Sequence, residues 1–255
     1  MSEQALVGRH ALITGGGTGI GLAIARALAA SGADVTITGR RGDVLAEAAA
    51  GHARLHPLVM DVADEASVAD GCAAAIAARG PITICVPNAG IAEGKAITKM
   101  DMAFWRRMMA INLDGAYVTV RECLRGMQDE GWGRVIFISS IAGLKGLRGA
   151  PAYTASKHGM IGLMRGLSED FLGSDMTFNA LCPGYVDTEI VARNTDSIAA
   201  RAGISADAAR DMMVKTNRHK RLIRPEEVAA AALWLCLPGS ESINGQCIEI
   251  AGGQM

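Results

Sequence analysis

Tyr153 and Lys157 stand four residues apart in Tyr153-Thr154-Ala155-Ser156-Lys157. On a helix that spacing puts a phenol and an amine on one face, one turn apart. An ammonium beside a phenol favours the phenolate, so a hydroxyl of ordinary pKa about 10 is drawn toward the range where it trades protons with a substrate. Ser140, thirteen residues upstream of Tyr153, offers a second hydroxyl. An oxygen that gains negative charge during a reaction needs positioned donors, and these two hydroxyls can supply them. The pair alone is common by chance; its company elsewhere in the chain gives it weight.

That company begins with Thr14-Gly15-Gly16-Gly17-Thr18-Gly19-Ile20-Gly21, which follows a β-type run (11–14) and opens a helical one (20–31). Glycines here permit a tight turn and close approach of backbone to a pyrophosphate, which also meets the positive end of the helix. Gly15, Gly17, Thr18, Gly19, Ile20 and Gly21 are the expected dinucleotide cradle. The second strand (35–38) ends in Thr38-Gly39-Arg40-Arg41, with no carboxylate to hold free ribose hydroxyls. Arg40 and Arg41 suit a 2′-phosphate, so NADP(H) is favoured and NAD(H) remains possible. Asp61 and Val62, after a third strand (55–59), are placed to hold adenine. Asn88, Ala89 and Gly90, after a fourth (82–86), lie where the crevice of an open parallel sheet passes.

Further β-type runs occupy 135–138, 178–182 and 247–250. Helical patterns lie between, at 43–50, 65–78, 101–128, 153–172 and 225–237. Strands without in/out alternation, separated by helices, predict an α/β doubly wound parallel sheet (a Rossmann fold) of about seven strands, with helices on both faces. No repeat or linker interrupts the chain, so residues 1–255 read as a single domain. Residues 188–217 contain helical fragments but no strand, and read as a substrate lid.

Half of the 255 residues are apolar and the net charge is -1. With no long basic run, a nucleic-acid partner is not expected, and no apolar stretch approaches the roughly 18 residues of a membrane helix. Met1-Ser2-Glu3-Gln4 lacks the order of a signal peptide, which makes the cytoplasm the expected location. Six cysteines are scattered singly and five histidines form no cluster, so buried thiols are expected and a metal is not.

Together T-G-x-x-x-G-I-G at 14–21, N-A-G at 88–90, Asn112, Ser140, Tyr153/Lys157, and Pro183-Gly184 followed by Thr188 resemble the short-chain dehydrogenase/reductase family over essentially the whole chain. The resemblance implies hydride transfer between a nicotinamide and a carbonyl or secondary alcohol. Tyr153 would be the acid/base, and Lys157 would lower its pKa and hold the nicotinamide ribose. Ser140, rather than neighbouring Ser139, would bond the carbonyl oxygen. Asn112 would anchor a water linking Lys157 to solvent; an asparagine inside a helix can equally bond local backbone groups. Pro183, Gly184, Val186 and Thr188 would position the nicotinamide. Pro87 departs from the family, which usually has a second Asn there, and a hydrogen bond in the central sheet is expected to be missing.

The chain resembles 3-oxoacyl thioester reductases and polyketide-type ketoreductases around 152–159, and 3-hydroxybutyrate dehydrogenases in its lid and Cys182-Pro183-Gly184 turn. Ala150 stands where the latter would carry a lysine for a free carboxylate, which favours a neutral ketone or thioester. Ile91, Leu144, Leu147, Tyr185, Met212 and Met213 are the expected pocket walls. A coenzyme A or carrier-protein thioester is one substrate class; a 3-hydroxybutyrate, sugar or polyol dehydrogenase is the alternative, and a non-catalytic nucleotide sensor a remote one. Arg218-His219-Lys220-Arg221 reads either as a carrier contact or as a structural charge run, and His158 as a helix-surface residue. By likeness, a homotetramer assembled through the helices of Asn112 and Tyr153 is expected.

Overall fold

The computed structural model describes residues 4–215 and 217–254. Met1, Ser2 and Glu3 of the N-terminal reading, Thr216 within the expected lid, and Met255 lie outside the described residues. Seven parallel strands form one sheet: β1 (His10–Thr14), β2 (Asp34–Gly39), β3 (Leu55–Val59), β4 (Ile82–Val86), β5 (Trp132–Ile138), β6 (Asp175–Pro183) and β7 (Cys247–Ile250). Their spatial order is β3-β2-β1-β4-β5-β6-β7. The chain runs outward from β1 to β3, then returns to lay β4 on the other side of β1. The loops after β1 and β4 therefore flank the point where strand order reverses, and open parallel sheets bind ligands there.

The apolar runs lack alternation because both faces are covered. Ala11, Ile13, Val35, Ile37, Ile136 and Ile138 pack in one layer with α1 (Gly19–Ala30) and α9 (Pro225–Trp234). Leu12, Cys85, Val135, Phe137 and Phe178 face the opposite layer, against α3 (Glu65–Arg79), α5 (Gly115–Glu130) and α6 (Pro151–Asp170). Alternate residues of one strand thus serve two cores. Truncating fully buried Phe137 to alanine would cost about 3–5 kcal/mol. The edge strand β3 is the exception, with His56, Leu58 and Val59 only partly covered. Helix α2 (Gly42–Ala49) joins β2 to β3.

The long helix read over 101–128 is broken. It forms α4 (Met102–Met109), a wide π-helical turn at Ala110–Asp114, and α5. Residues 188–217 fold as α7 (Glu189–Ala202) and α8 (Ala206–Val214), with no strand among the described residues. The base of this segment is pinned by a bridge between Val186 and Ile223, with Asp187 N–H donating to Ile223 O at 2.8 Å. Val191, Met213 and Leu222 make a small cluster of their own, separate from both main layers.

Candidate active site

Helix α6 begins with Pro151 in its first turn, where a missing N–H is harmless, and carries Tyr153, Ser156 and Lys157 inward. Lys157 is 4% exposed. Its ammonium donates to Ile138 O, at the end of β5, at 2.8 Å and lies 5.9 Å from the centroid of the Tyr153 ring. Two residues beyond that strand end, Ser140 caps a short 3-10 turn (Ile141–Gly143), its Oγ accepting from Ala142 N–H at 3.1 Å. Ser139 Oγ instead donates to Lys157 O at 3.2 Å and braces the helix. Of the two cavity-lining serines, Ser140 is thereby the one whose hydroxyl is left to meet Tyr153.

Burial governs both titrating groups. It pushes the Tyr153 phenol above its ordinary value, with the Ser140 hydroxyl pulling the other way. It lowers the Lys157 ammonium to about 8. The expected acidification of Tyr153 is therefore outweighed by burial in the protein alone: the desolvated phenolate is penalised more than its neighbours favour it, and the ammonium is turned to the Ile138 carbonyl.

Asn112 is fully buried in the π-helical turn. Its Oδ1 accepts from Ile91 N–H at 2.8 Å, and Nδ2 donates to Ile91 O at 2.9 Å and Ser156 Oγ at 3.0 Å. Ser156 Oγ in turn donates to Tyr153 O at 2.8 Å. Asn112 thus ties the loop after β4 to α6, and the widened turn is what aims it inward. A Cβ on Gly90 would sit 3.2 Å from Asn112 Oδ1 and 3.6 Å from Lys157 Nζ, so a side chain there would crowd Asn112.

One cavity of about 660 Å³ runs from Arg40 and Arg41 to Tyr153. Of the residues expected to act, Gly15, Gly17, Thr18, Gly19, Ile20, Arg40, Arg41, Asp61, Val62, Asn88, Ala89, Gly90, Ser140, Tyr153, Lys157, Pro183, Gly184, Val186 and Thr188 line it. Gly21 and Asn112 do not; they hold its walls. A Cβ on Gly21 would lie 2.4 Å from Gly15 O and 2.5 Å from Asn88 Nδ2. Asn88 Nδ2 donates to Thr14 O at 2.8 Å, while Thr14 Oγ1 accepts from the N–H groups of Asn88 and Ala89 at 3.0 Å each. The two loops are locked together. Helix α1 has neither a side-chain cap nor an acid in its first turn, so its unpaired N–H groups and positive end fit a pyrophosphate.

At the other end Ile91, Leu147, Tyr185 and Met213 line the cavity as expected. Leu144 instead packs on the second core layer, and Met212 points outward, 62% exposed. Ile141, Arg148, Val191 and Asn194 also line the cavity and carried no sequence signal beyond lying between Ser140 and Tyr153 or within 188–217. Arg221 donates to both Glu227 oxygens, at 2.6 and 2.9 Å, and the same carboxylate accepts from Arg224 N–H at 2.7 Å, fixing the start of α9. That assigns Arg221 its structural reading. His158 lies on the helix surface, its ring N–H donating to Thr154 O. Pro87 offers its carbonyl to Ile138 N–H at 3.0 Å, so pairing between β4 and β5 continues past it.

Comparison with known proteins agrees with this geometry. A cis-4-hydroxycyclohexanecarboxylate dehydrogenase of Sinomonas cyclohexanicum is 37% identical over 255 residues, 98% of either chain. A D-beta-hydroxybutyrate dehydrogenase of Rhizobium meliloti (strain 1021) is 34% identical over 254 residues, 96% of this chain and 98% of the relative. The crystal structure of a variant actinorhodin polyketide ketoreductase with NADPH superposes with a TM-score of 0.93 at 29% identity, covering 96% of this chain and 97% of that one. A family model described as short chain dehydrogenase matches residues 9–199. The chain is an oxidoreductase of hydroxyl and keto groups and belongs to the short-chain dehydrogenase family.

Proposed function

We propose that the chain passes hydride between NADPH and the carbonyl of a 3-oxoacyl thioester or similar ketone. The observation that carries this reading is the meeting of Ser140, Tyr153 and Lys157 with the glycine loop and two arginines on one cavity. When bound, the nicotinamide supplies or takes the hydride. Tyr153 gives its phenolic proton to the oxygen as charge develops there, or takes a hydroxyl proton in the reverse direction, while Ser140 donates a second hydrogen bond to the same oxygen. Lys157 holds the ribose hydroxyls and its charge favours the phenolate. Asn112 positions Tyr153 and Lys157 through Ser156 and the Ile91 backbone, and anchors the water that links Lys157 to solvent.

Asp61 and Val62 hold adenine, and Asn88, Ala89 and Gly90 border the ribose. Pro183, Gly184, Val186 and Thr188 set the nicotinamide face. Arg40 and Arg41 just past the end of β2, the second with Glu189 4.0 Å away, favour a 2′-phosphate and hence NADP(H) over NAD(H). Residues 188–217 cover the substrate. A thioester would arrive on coenzyme A or a carrier protein. The working form is a cytoplasmic homotetramer assembled through the helices of Asn112 and Tyr153. A hydroxy acid such as 3-hydroxybutyrate is the second reading, supported by the names of the two relatives above.

NADPH oxidation with 3-oxoacyl thioesters, acetoacetate and sugars tests the proposal, with the Tyr153→Phe variant as control. Turnover of thioester or keto acid, lost in that variant, is expected. Tight NADPH binding with no turnover of any of these would favour a nucleotide sensor instead.

A further inference from the structure

The cavity is unevenly charged. At its adenosine end Arg41 lies 4.0 Å from Glu189. On its floor Lys157 is committed to the Ile138 carbonyl. Glu93, toward the substrate, is gripped by both terminal nitrogens of Arg107, at 2.6 and 3.1 Å. Arg148 also lines this cavity, from the loop between Ser140 and Tyr153. It is exposed, and among the described residues it has no hydrogen bond or ion pair. Gly149, at φ +76°, turns the chain between Arg148 and α6. Ala150 brings no charge to this wall, and a cation stands two residues earlier.

We infer that Arg148 receives an anionic group at the end of the substrate remote from the reacting carbonyl. A guanidinium stays charged at any working pH, and its planar fork accepts a carboxylate or a phosphate through two parallel hydrogen bonds. Among the described residues Arg148 has no anion to be prised from, so a ligand meets no competitor there. An exposed cation attracts an anion only modestly in water, but a substrate filling the cavity excludes solvent around the pair and strengthens it. The anion has two chemical sources: the carboxylate of a short oxo acid, or a phosphate of a coenzyme A thioester. The inference rests on the hydride-transfer reading and specifies its substrate class.

The test is steady-state NADPH oxidation by the full chain and by Arg148→Ala, with four substrates. These are acetoacetate, acetoacetyl coenzyme A, the phosphate-free acetoacetyl-N-acetylcysteamine thioester, and neutral ethyl acetoacetate. Expected is a fall of about tenfold to a hundredfold in the ratio of kcat/KM for an anionic substrate to that for its neutral counterpart, carried by KM. Arg148→Lys recovers part of it, and added salt weakens the anionic substrate in the parent but not in Arg148→Ala. A loss confined to acetoacetate assigns the carboxylate; a loss on the coenzyme A thioester but not the cysteamine one assigns the phosphate. An equal loss on all four, or no change on any, overturns the inference and leaves hydride transfer standing. A parent chain that oxidises NADPH with none of them overturns both. NADPH affinity, read by fluorescence, stays unchanged in the variant and reports that the fold is intact.

Discussion

Replacing Lys157 with methionine separates what this residue does for the fold from what it does for chemistry. Its amine is buried, with a pKa lowered from 10.5 to about 8. Below pH 8 both folded and unfolded chains carry the proton, and the folded state bears the whole penalty of desolvating it. A difference of about 2.5 pKa units makes this roughly 3 kcal/mol. Between pH 8 and 10.5 the folded chain sheds the proton while the unfolded chain keeps it, so wild-type stability rises with pH; above 10.5 the penalty is gone. Lys157→Met removes the penalty at every pH but strands the Ile138 carbonyl, bonded at 2.8 Å in the parent, at a cost of about 1–3 kcal/mol. The two effects nearly offset at pH 7. By pH 10 the parent has gained about 2–3 kcal/mol that the variant cannot gain. Urea unfolding of both cofactor-free proteins at pH 7, 8.5 and 10 reads this directly. Parallel profiles, or a parent that loses ground to the variant as pH rises, would refute the claim that a desolvated ammonium sits beneath Tyr153. Turnover of the folded variant should fall at least about a hundredfold at neutral pH.

Ser140→Ala should lower kcat by about 10²–10³, whereas Ser139→Ala, which removes only the 3.2 Å bond to Lys157 O, should leave kcat nearly intact; equal losses would undo the assignment of the two serines. Arg40→Asp should raise KM for NADPH by about tenfold to a hundredfold and improve NADH, and unchanged selectivity in the two cofactor assays would remove the 2′-phosphate argument. Gly21→Ala places a methyl 2.4 Å from Gly15 O and must part the loop from Asn88. NADPH titration should show at least about tenfold weaker binding, and the melting temperature should fall, for a loss of about 1–3 kcal/mol; parent-like values on both would contradict the close packing.

What could be read from the residues was what local chemistry dictates. The β-type runs at 55–59, 82–86 and 247–250 become β3, β4 and β7 with those same bounds, although of these only β4 is buried along its whole length and the edge strands β3 and β7 carry His56 and Glu249. The glycine loop was legible because the positive φ at Gly15 and Gly19 favours glycine and the contact behind Gly21 leaves no room for a Cβ. Asn112 shows where such reading stops. Its hydrogen bonds reach Ile91 and Ser156, 21 and 44 residues away along the chain, and a helical pattern at 101–128 contains nothing that announces a π-helical turn there. Leu144 and Leu147 are separated by one helical turn of sequence, yet only Leu147 meets the cavity, since the backbone after Ser140 forms a 3-10 turn whose direction no propensity sets. The same limit governs the catalytic pair. Four-residue spacing places a phenol beside an amine, but the net direction in which each group shifts depends on burial as well as on their mutual influence. Here the end of β5 supplies a carbonyl, and the protein alone leaves Tyr153 a weaker acid than free tyrosine and Lys157 a weaker base than free lysine. Reduction leaves behind, and oxidation starts from, the same phenolate that burial penalises, so both directions draw on the charge of Lys157 to favour that anion.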